Sequence, residues 1–264
     1  MNSIVKIKKL NYLDFQKFNL DIEENSYTTI VGPLKSGKTT LIKIISGIIK
    51  TNNVCECNNV ILNENNCFNY VKNIGVVFGV NKNSFKYQTV KEELMYPLIN
   101  LGYPKIIIER KIKKILEELR LESLYNKNIK DLDSSTKQLL LFIISLLHNP
   151  KVLLIDDSFL LLNNNYKKII FNYLMKLKKN KDLTIVYFTS NMDNVLGSDY
   201  LYLLDNFKII ESGRPLTLLS DDKLFYESNL EVPFMVDLST KLKMYGLIDN
   251  LYLDMEELVD KIWK

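Results

Sequence analysis

The sequence is short of what several classes of function require. It has one histidine, His148, and three cysteines, Cys55, Cys57 and Cys67. An odd cysteine count argues against a disulfide framework, and with one distant histidine a zinc site lacks its fourth ligand, so reduced, structural thiols are expected. Arginine is sparse, which argues against a kinase lid over a transferred phosphoryl group. The net charge is only +4, and no basic cluster interleaves with aromatics. The lysines read as solvated helix faces, and nucleic acid is not expected as a partner. No apolar run approaches the ~20 residues that span a bilayer, the longest being Leu139 to Leu147, already broken by Ser145. The opening residues Met1-Asn2-Ser3-Ile4 lack the charged-then-apolar signature of an export signal. The expectation is a soluble, cytoplasmic chain whose membrane role would need a partner.

What is present suffices for a substantial core: 264 residues, 47% of them hydrophobic, fit one large α/β domain or a domain plus a small appendage. Ile4 to Ile22 alternates apolar and polar residues, as short strands do. Tyr27 to Val31 is an apolar, β-branched run ending at Gly32, and Lys38 to Ile48 has helical length and composition. Asn52 to Asn66 reads as turns around a short strand at Val60 to Leu62, and Ile74 to Phe78 as a buried strand. Three helices then follow in a row. One opens at the capping box Thr89-Val90-Lys91-Glu92, one follows Pro104 with Ile108, Ile112, Ile115, Leu116 and Leu119 on one face, and one runs from Ser134 to His148-Asn149-Pro150. Strands resume at Val152 to Ile155 and Thr184 to Thr189, around an amphipathic helix at Tyr166 to Lys179. Tyr200 to Leu204 and Phe207 to Glu211, joined at Asp205-Asn206, predict a hairpin. Past Gly213-Arg214-Pro215 the pattern is helical, with one helix opened by Val232-Pro233 and closed by Gly246.

Gly32-Pro33-Leu34-Lys35-Ser36-Gly37-Lys38-Thr39 fits G-x-x-x-x-G-K-[ST] between a strand and a helix. Free amides at the positive end of that helix converge on a phosphate. Gly37 lets the backbone approach, Lys38 reaches the outer phosphates, and the Thr39 hydroxyl can ligate Mg²⁺; Thr40 continues the phosphate-facing turn. The partner half is Val152-Leu153-Leu154-Ile155-Asp156-Asp157, a doubly buried strand ending in two carboxylates. Asp156 would hold Mg²⁺ through water and Asp157 would face the attacking water. The expected cofactors are ATP and Mg²⁺.

With a long helical insertion between these motifs, the chain resembles the ATP-binding cassette (ABC) family, and within it the energy-coupling-factor ATPases of vitamin and metal-ion importers. The likeness also includes Ile74-Gly75-Val76-Val77-Phe78, Thr89-Val90-Lys91-Glu92-Glu93, Asn100-Leu101-Gly102, Lys137-Gln138, Ser212-Gly213-Arg214-Pro215 and Leu230-Glu231-Val232-Pro233-Phe234. The resemblance implies an α/β P-loop NTPase fold of the ABC type. The nucleotide-binding domain would span residues 1–212, with a helical subdomain inserted at about 80–150, followed by a small, mostly helical extension at 213–264. It also implies a head-to-tail dimer with two ATPs between cassettes, a polytopic membrane coupling subunit, and a peripheral location on the cytoplasmic face of the cell membrane. An aromatic near the N-terminus would stack on adenine: Tyr12, with Phe15 as the fallback.

The departures from that family bear on turnover. Where the family has Leu-Ser-Gly-Gly-Gln, this chain has Leu132-Asp133-Ser134-Ser135-Thr136, and Ser134, Ser135 and Thr136 would face the partner's nucleotide with side chains instead of bare backbone. Gly79 stands for the glutamine that touches Mg²⁺ and the lytic water. Asp157 stands for the general-base glutamate, and Ser190 for the switch histidine. Asn163 replaces an acidic residue, and Lys35 occupies a small-residue position, expected to point outward. A catalytic group set back by about 1 Å can lose on the order of 10²-fold in rate. The expectation is an importer subunit that binds Mg·ATP and hydrolyses it weakly, in a heterodimer with a more competent cassette. The alternative is a nucleotide-binding regulatory module that does not itself drive transport.

Overall fold

The computed structural model describes residues 2–51, 54–219, 222–253 and 255–262. Met1, Asn52, Asn53, Ser220, Asp221, Asp254, Trp263 and Lys264 therefore lie outside the described residues. Strands β1 (Ser3–Tyr12) and β2 (Phe15–Glu23) pair antiparallel, and their alternation buries Val5, Ile7, Leu10, Leu20 and Ile22 on one side. β3 (Tyr27–Val31) is buried along its whole length and feeds α1 (Lys38–Ile45). That helix stops short of the expected Ile48 because Gly47, at φ 76°, turns the chain left-handed.

The asparagine-rich segment holds a hairpin where one strand was expected. β4 (Cys55–Cys57) and β5 (Val60–Ile61) join through Asn58 and Asn59, at φ 49° and 60°. Two consecutive left-handed residues make the tight turn that asparagine tolerates. The short helix α2 (Cys67–Val71), with too few residues to show a period, was not anticipated.

β6 (Ile74–Val77) leads to α3 (Val90–Asn100), α4 (Lys105–Leu119) and α5 (Ser134–Leu146). The capping box at α3 forms in full: the Thr89 hydroxyl accepts from Glu92 N–H while Glu92 accepts from Thr89 N–H, an arrangement worth about 1 kcal/mol. Glu93, buried, uses Oε2 to accept from Lys86 N–H and Tyr87 N–H, tying down the approach to the helix.

β7 (Val152–Asp156), α6 (Asn164–Lys179), β8 (Thr184–Thr189), β9 (Tyr200–Asp205) and β10 (Lys208–Gly213) complete the core, followed by α7 (Pro215–Leu219), α8 (Asp222–Glu227), α9 (Phe234–Met244) and α10 (Met255–Ile262). The main sheet runs β10-β9-β3-β8-β7-β6, parallel except for β10. The smaller antiparallel sheet runs β2-β1-β4-β5. Among the described residues no helix is long and apolar enough to cross a membrane. α5 packs between β6 and the other helices, with Leu139, Leu140, Phe142 and Ile143 buried all round.

The β9–β10 hairpin corrects its predicted register. Lys208 pairs with Asp205, so the turn is Asn206-Phe207 and not Asp205-Asn206. Both turn residues are left-handed, φ 44° and 61°. A phenylalanine in that conformation gives no local turn signal; its N–H is held by Ser36 O at 3.0 Å, a tertiary contact.

Candidate functional site

Parallel strands deliver their functional residues to one edge, the carboxyl ends, where α/β sheets bind ligands. β3 ends in the glycine loop and β7 ends in Asp156, and β8 between them ends at Thr189 and Ser190. The result is a cleft of about 340 Å³ lined by Lys38, Thr39, Thr40, Asp156, Asp157 and Ser190, with Leu34, Lys35 and Gly37 along its rim.

Two glycines are dictated by space and backbone. Gly32 passes so close to β9 that a Cβ would lie 2.1 Å from Leu204 O, and its N–H donates to Thr189 O at 3.2 Å. Gly37 stands at φ 106°, outside the reach of ordinary side chains. Pro33 O accepts from Ser36 N–H, closing the loop, and Ser36 is buried. Leu34 and Lys35 point to solvent, Lys35 from a left-handed backbone, φ 66°. α1 begins at Lys38, so the amides of its first turn are left for an anion.

The Lys38 ammonium lies inside this loop, donating to Gly32 O at 2.7 Å and Pro33 O at 2.9 Å. Burial pulls its pKa below the usual lysine value, opposed by the charges of Asp157 and Asp156. Thr39 Oγ1 donates to Asp156 Oδ2 at 3.2 Å. Burial raises the Asp156 pKa, and Asp157 pushes the same way while the Thr39 hydroxyl opposes. A half-buried carboxylate beside a hydroxyl is a pair of hard oxygens suited to a magnesium ion, which keeps several of its ligands as water and phosphate oxygens. No cluster of three or more metal-ligating side chains occurs among the described residues, so this pair is what the protein would bring to Mg²⁺.

Asp157, expected to face the attacking water, is the first residue beyond β7. It sits at φ 49°, and its carboxylate faces the end of β8. Oδ1 accepts from the Thr189 hydroxyl at 2.7 Å and Oδ2 from the Ser190 hydroxyl at 3.2 Å. Asp157 borders the cleft, and each of its carboxylate oxygens accepts a hydroxyl hydrogen bond. Ser190, expected as the degenerate switch residue, is the donor to Oδ2.

The remaining predicted positions lie outside this cleft. Gly79 follows β6 and is bracketed by the fully buried Gln138 of α5, whose Nε2 donates to Phe78 O at 3.1 Å and whose Oε1 accepts from Val80 N–H at 2.8 Å. Ser134, Ser135 and Thr136 form the first turn of α5, capped by Asp133 through Thr136 N–H at 2.7 Å. Ser135 Oγ accepts from Asn163 N–H at 2.8 Å within the same chain. Tyr12 ends β1 in register with Phe15 and packs against the core; it does not line the cleft, whose aromatic residue is Phe207.

Phe207, Thr189 and Gln138 were missed from sequence. Thr189 could have been found as the residue beside Ser190 at a strand end. Phe207 has no local signal, since it acts across a long separation in the chain; Gln138 stood in the Lys137-Gln138 motif, but its contacts with Val80 and Phe78, 58 and 60 residues away, could not be read there.

A cavity of about 650 Å³ elsewhere, between α4, α6 and the end of α5, is lined by Arg110, Lys111, Lys114, Lys151 and Lys176. Lys111 donates to Leu147 O at 3.3 Å, near the carbonyl end of α5, and Lys114 and Lys176 pair with Glu118 of the same cavity at 3.9 and 3.6 Å. The phosphate-loop cleft is the better-built site.

A family model described as ABC transporter matches residues 15–160. Among curated proteins, the chain is 27% identical over 266 residues to the energy-coupling factor transporter ATP-binding protein EcfA of Pediococcus pentosaceus, covering 97% of this chain and 95% of that one. It is 28% identical over 256 residues to EcfA1 of Mesomycoplasma hyopneumoniae, covering 97% and 93%. Among solved structures it resembles cbiO1 from Clostridium perfringens, part of the ABC transporter complex cbiONQ, with a TM-score of 0.74, 22% identity, and coverage of 90% and 99%.

Proposed function

This chain belongs to the ABC transporter family, and from that premise we propose that it is the ATP-binding subunit of an energy-coupling-factor importer. The observation that carries the proposal is the Thr39–Asp156 pair, 3.2 Å apart at the mouth of a loop that encloses the Lys38 ammonium. Backbone amides of residues 34–40 would cradle the phosphates, and Lys38 would neutralise the outer ones. Mg²⁺, held by Thr39 and Asp156, would offset charge on the phosphate oxygens. The relatives named EcfA and EcfA1 support the assignment along nearly the whole chain.

In this proposal two cassettes sandwich ATP, each bringing its phosphate loop against the other's Ser134–Thr136 turn, and a heterodimer is favoured. A polytopic subunit of the membrane receives the motion through the helical part, residues 80–150, and the cargo is a vitamin or metal ion. The chain would work peripherally on the cytoplasmic face. Hydrolysis by this subunit is weak because Asp157 is engaged by Thr189 and Ser190, no histidine follows β8, and Gly79 brings no side chain to the site.

Titration calorimetry of the purified chain tests the reading. Mg·ATP should bind, and Lys38→Ala should weaken binding by about 10–100-fold, the scale of a hydrogen bond to a charged group. Absence of heat from Mg·ATP would sink the assignment. Brisk phosphate release, abolished by Lys38→Ala, would sink the weak-hydrolysis part alone. The same engaged Asp157 favours a second reading, a regulatory nucleotide-binding module, which would co-purify with a soluble partner and no membrane protein.

A further inference from the structure

We propose that the cavity of about 650 Å³ between α4, the end of α5 and α6 is a second anion site, one that takes a phosphate monoester, free or as a lipid headgroup. The inference does not rest on the nucleotide assignment. The cavity is bordered by Lys151, Asp182 and Leu183, just before β7 and β8 begin, so it lies at the sheet edge opposite the phosphate loop.

The charge of the cavity is unbalanced. Its five cations are accompanied by two carboxylates, Glu118 and Asp182, an excess of three positive charges. Glu118 is already engaged, by Lys114 at 3.9 Å, by Lys176 at 3.6 Å and by the Tyr173 hydroxyl. Lys111 reaches only a carbonyl, Leu147 O, which leaves its charge unneutralised. Burial lowers the Lys111 pKa, and the charge of Lys114 pushes the same way. Among the described residues, Arg110, Lys151 and Asp182 form no ion pair.

Helix ends do not account for this excess. The last turn of α6 carries Lys176, Lys178 and Lys179 of its own, and Lys111 serves the end of α5. Lysines on a convex helix face would be solvated singly, whereas the walls of a cavity focus their field on what enters it. The volume lies within the ~300–1,000 Å³ of small-ligand sites.

The ligand class follows from the donors. A phosphate monoester carries about two negative charges near neutral pH and three acceptor oxygens. A guanidinium such as that of Arg110 can fork onto two of those oxygens, leaving acceptors for the ammonium groups of Lys111 and Lys151. A carboxylate, with a single charge, would leave most of the excess in place. The buried side chains of Ile115, Leu146 and Leu147 give the cavity an apolar floor for the esterified group.

The test uses the full chain carrying Lys38→Ala, which weakens the phosphate loop, and titration calorimetry in two arms. One arm uses phenyl phosphate and the other phosphatidylcholine vesicles containing phosphatidic acid. Benzoate, with the same ring and one charge, should bind about tenfold more weakly than phenyl phosphate. Arg110→Gln together with Lys151→Gln, both at exposed positions, should weaken binding by about tenfold or more. Lys179→Gln, outside the cavity, should leave it within about twofold. Bound phosphate should also slow acetylation of Lys111, which places the ligand. Binding in the phenyl phosphate arm alone supports a soluble ester, and binding in the vesicle arm alone supports a lipid headgroup. The proposal is overturned if neither arm shows binding to the Lys38→Ala chain, since any signal from the parent would then belong to the phosphate loop. It is equally overturned if the Arg110→Gln, Lys151→Gln chain binds like its parent, if Lys111 acetylation is unaffected, or if benzoate binds as tightly as phenyl phosphate.

Discussion

The hydroxyl of Thr189, the last residue of β8, donates to Oδ1 of Asp157, the first residue beyond β7, across 2.7 Å. That bond, with the one from Ser190, occupies one acceptor position on each oxygen of the second carboxylate of the strand-end pair, and we propose that it lowers the carboxylate's value as a general base.

The consequence is measurable. A working general base contributes about 10²–10⁴-fold to a rate, so its amide variant should be nearly dead. Here Asp157→Asn should change the slow single-turnover phosphate release by less than about threefold, a small fraction of that range. A loss of two orders of magnitude would restore Asp157 to the catalytic role.

Gly32 is fixed by the backbone of a neighbouring strand. A methyl group there would meet Leu204 O at 2.1 Å and Ser36 Oγ at 2.7 Å. Gly32→Ala must push β3 from β9 and should cost about 2–3 kcal/mol in urea unfolding. An unchanged midpoint would show that the loop relaxes without strain.

Gln138 stitches α5 to both sides of Gly79. Gln138→Leu keeps the volume but strands Val80 N–H and Phe78 O, at a cost of about 1–3 kcal/mol. Amide exchange at Val80 should accelerate by at least about tenfold, the equivalent of 1.4 kcal/mol. Unchanged protection at Val80 would mean that another acceptor takes over.

His148 gives the fold a pH signature. Burial lowers its pKa; the ring contact with Ile74 O at 3.2 Å opposes this and the charge of Lys111 adds to it. The folded pKa is therefore below the unfolded one, and between the two values the unfolded chain binds more protons. This contribution is fully present above about pH 6.5, the unfolded value, and is lost as pH falls through the lower folded value. As the single histidine of the chain, it should dominate the slope there. His148→Gln should flatten melting temperature against pH between about 5 and 7, and an unchanged slope would assign it elsewhere.

The sequence by itself determined the elements whose signals are local. Tyr27–Val31, Val152–Asp156 and Thr184–Thr189 announce themselves as buried runs, the Thr89–Glu92 box opens α3, and the glycine loop carries its own strand and helix. Hydrophobic periodicity and capping act over a few residues, so they are legible without neighbours. Tertiary structure alone decided which groups meet across the chain. Phe207 reaches Gly37 from another strand, Thr189 donates to Asp157 from the end of β8, Gln138 spans Gly79, and Tyr12 stays beside Phe15 outside the cleft lining. Each is a contact between residues distant in sequence, set by strand order and by the directions in which left-handed residues turn their side chains, and neither is written in any single stretch of the chain.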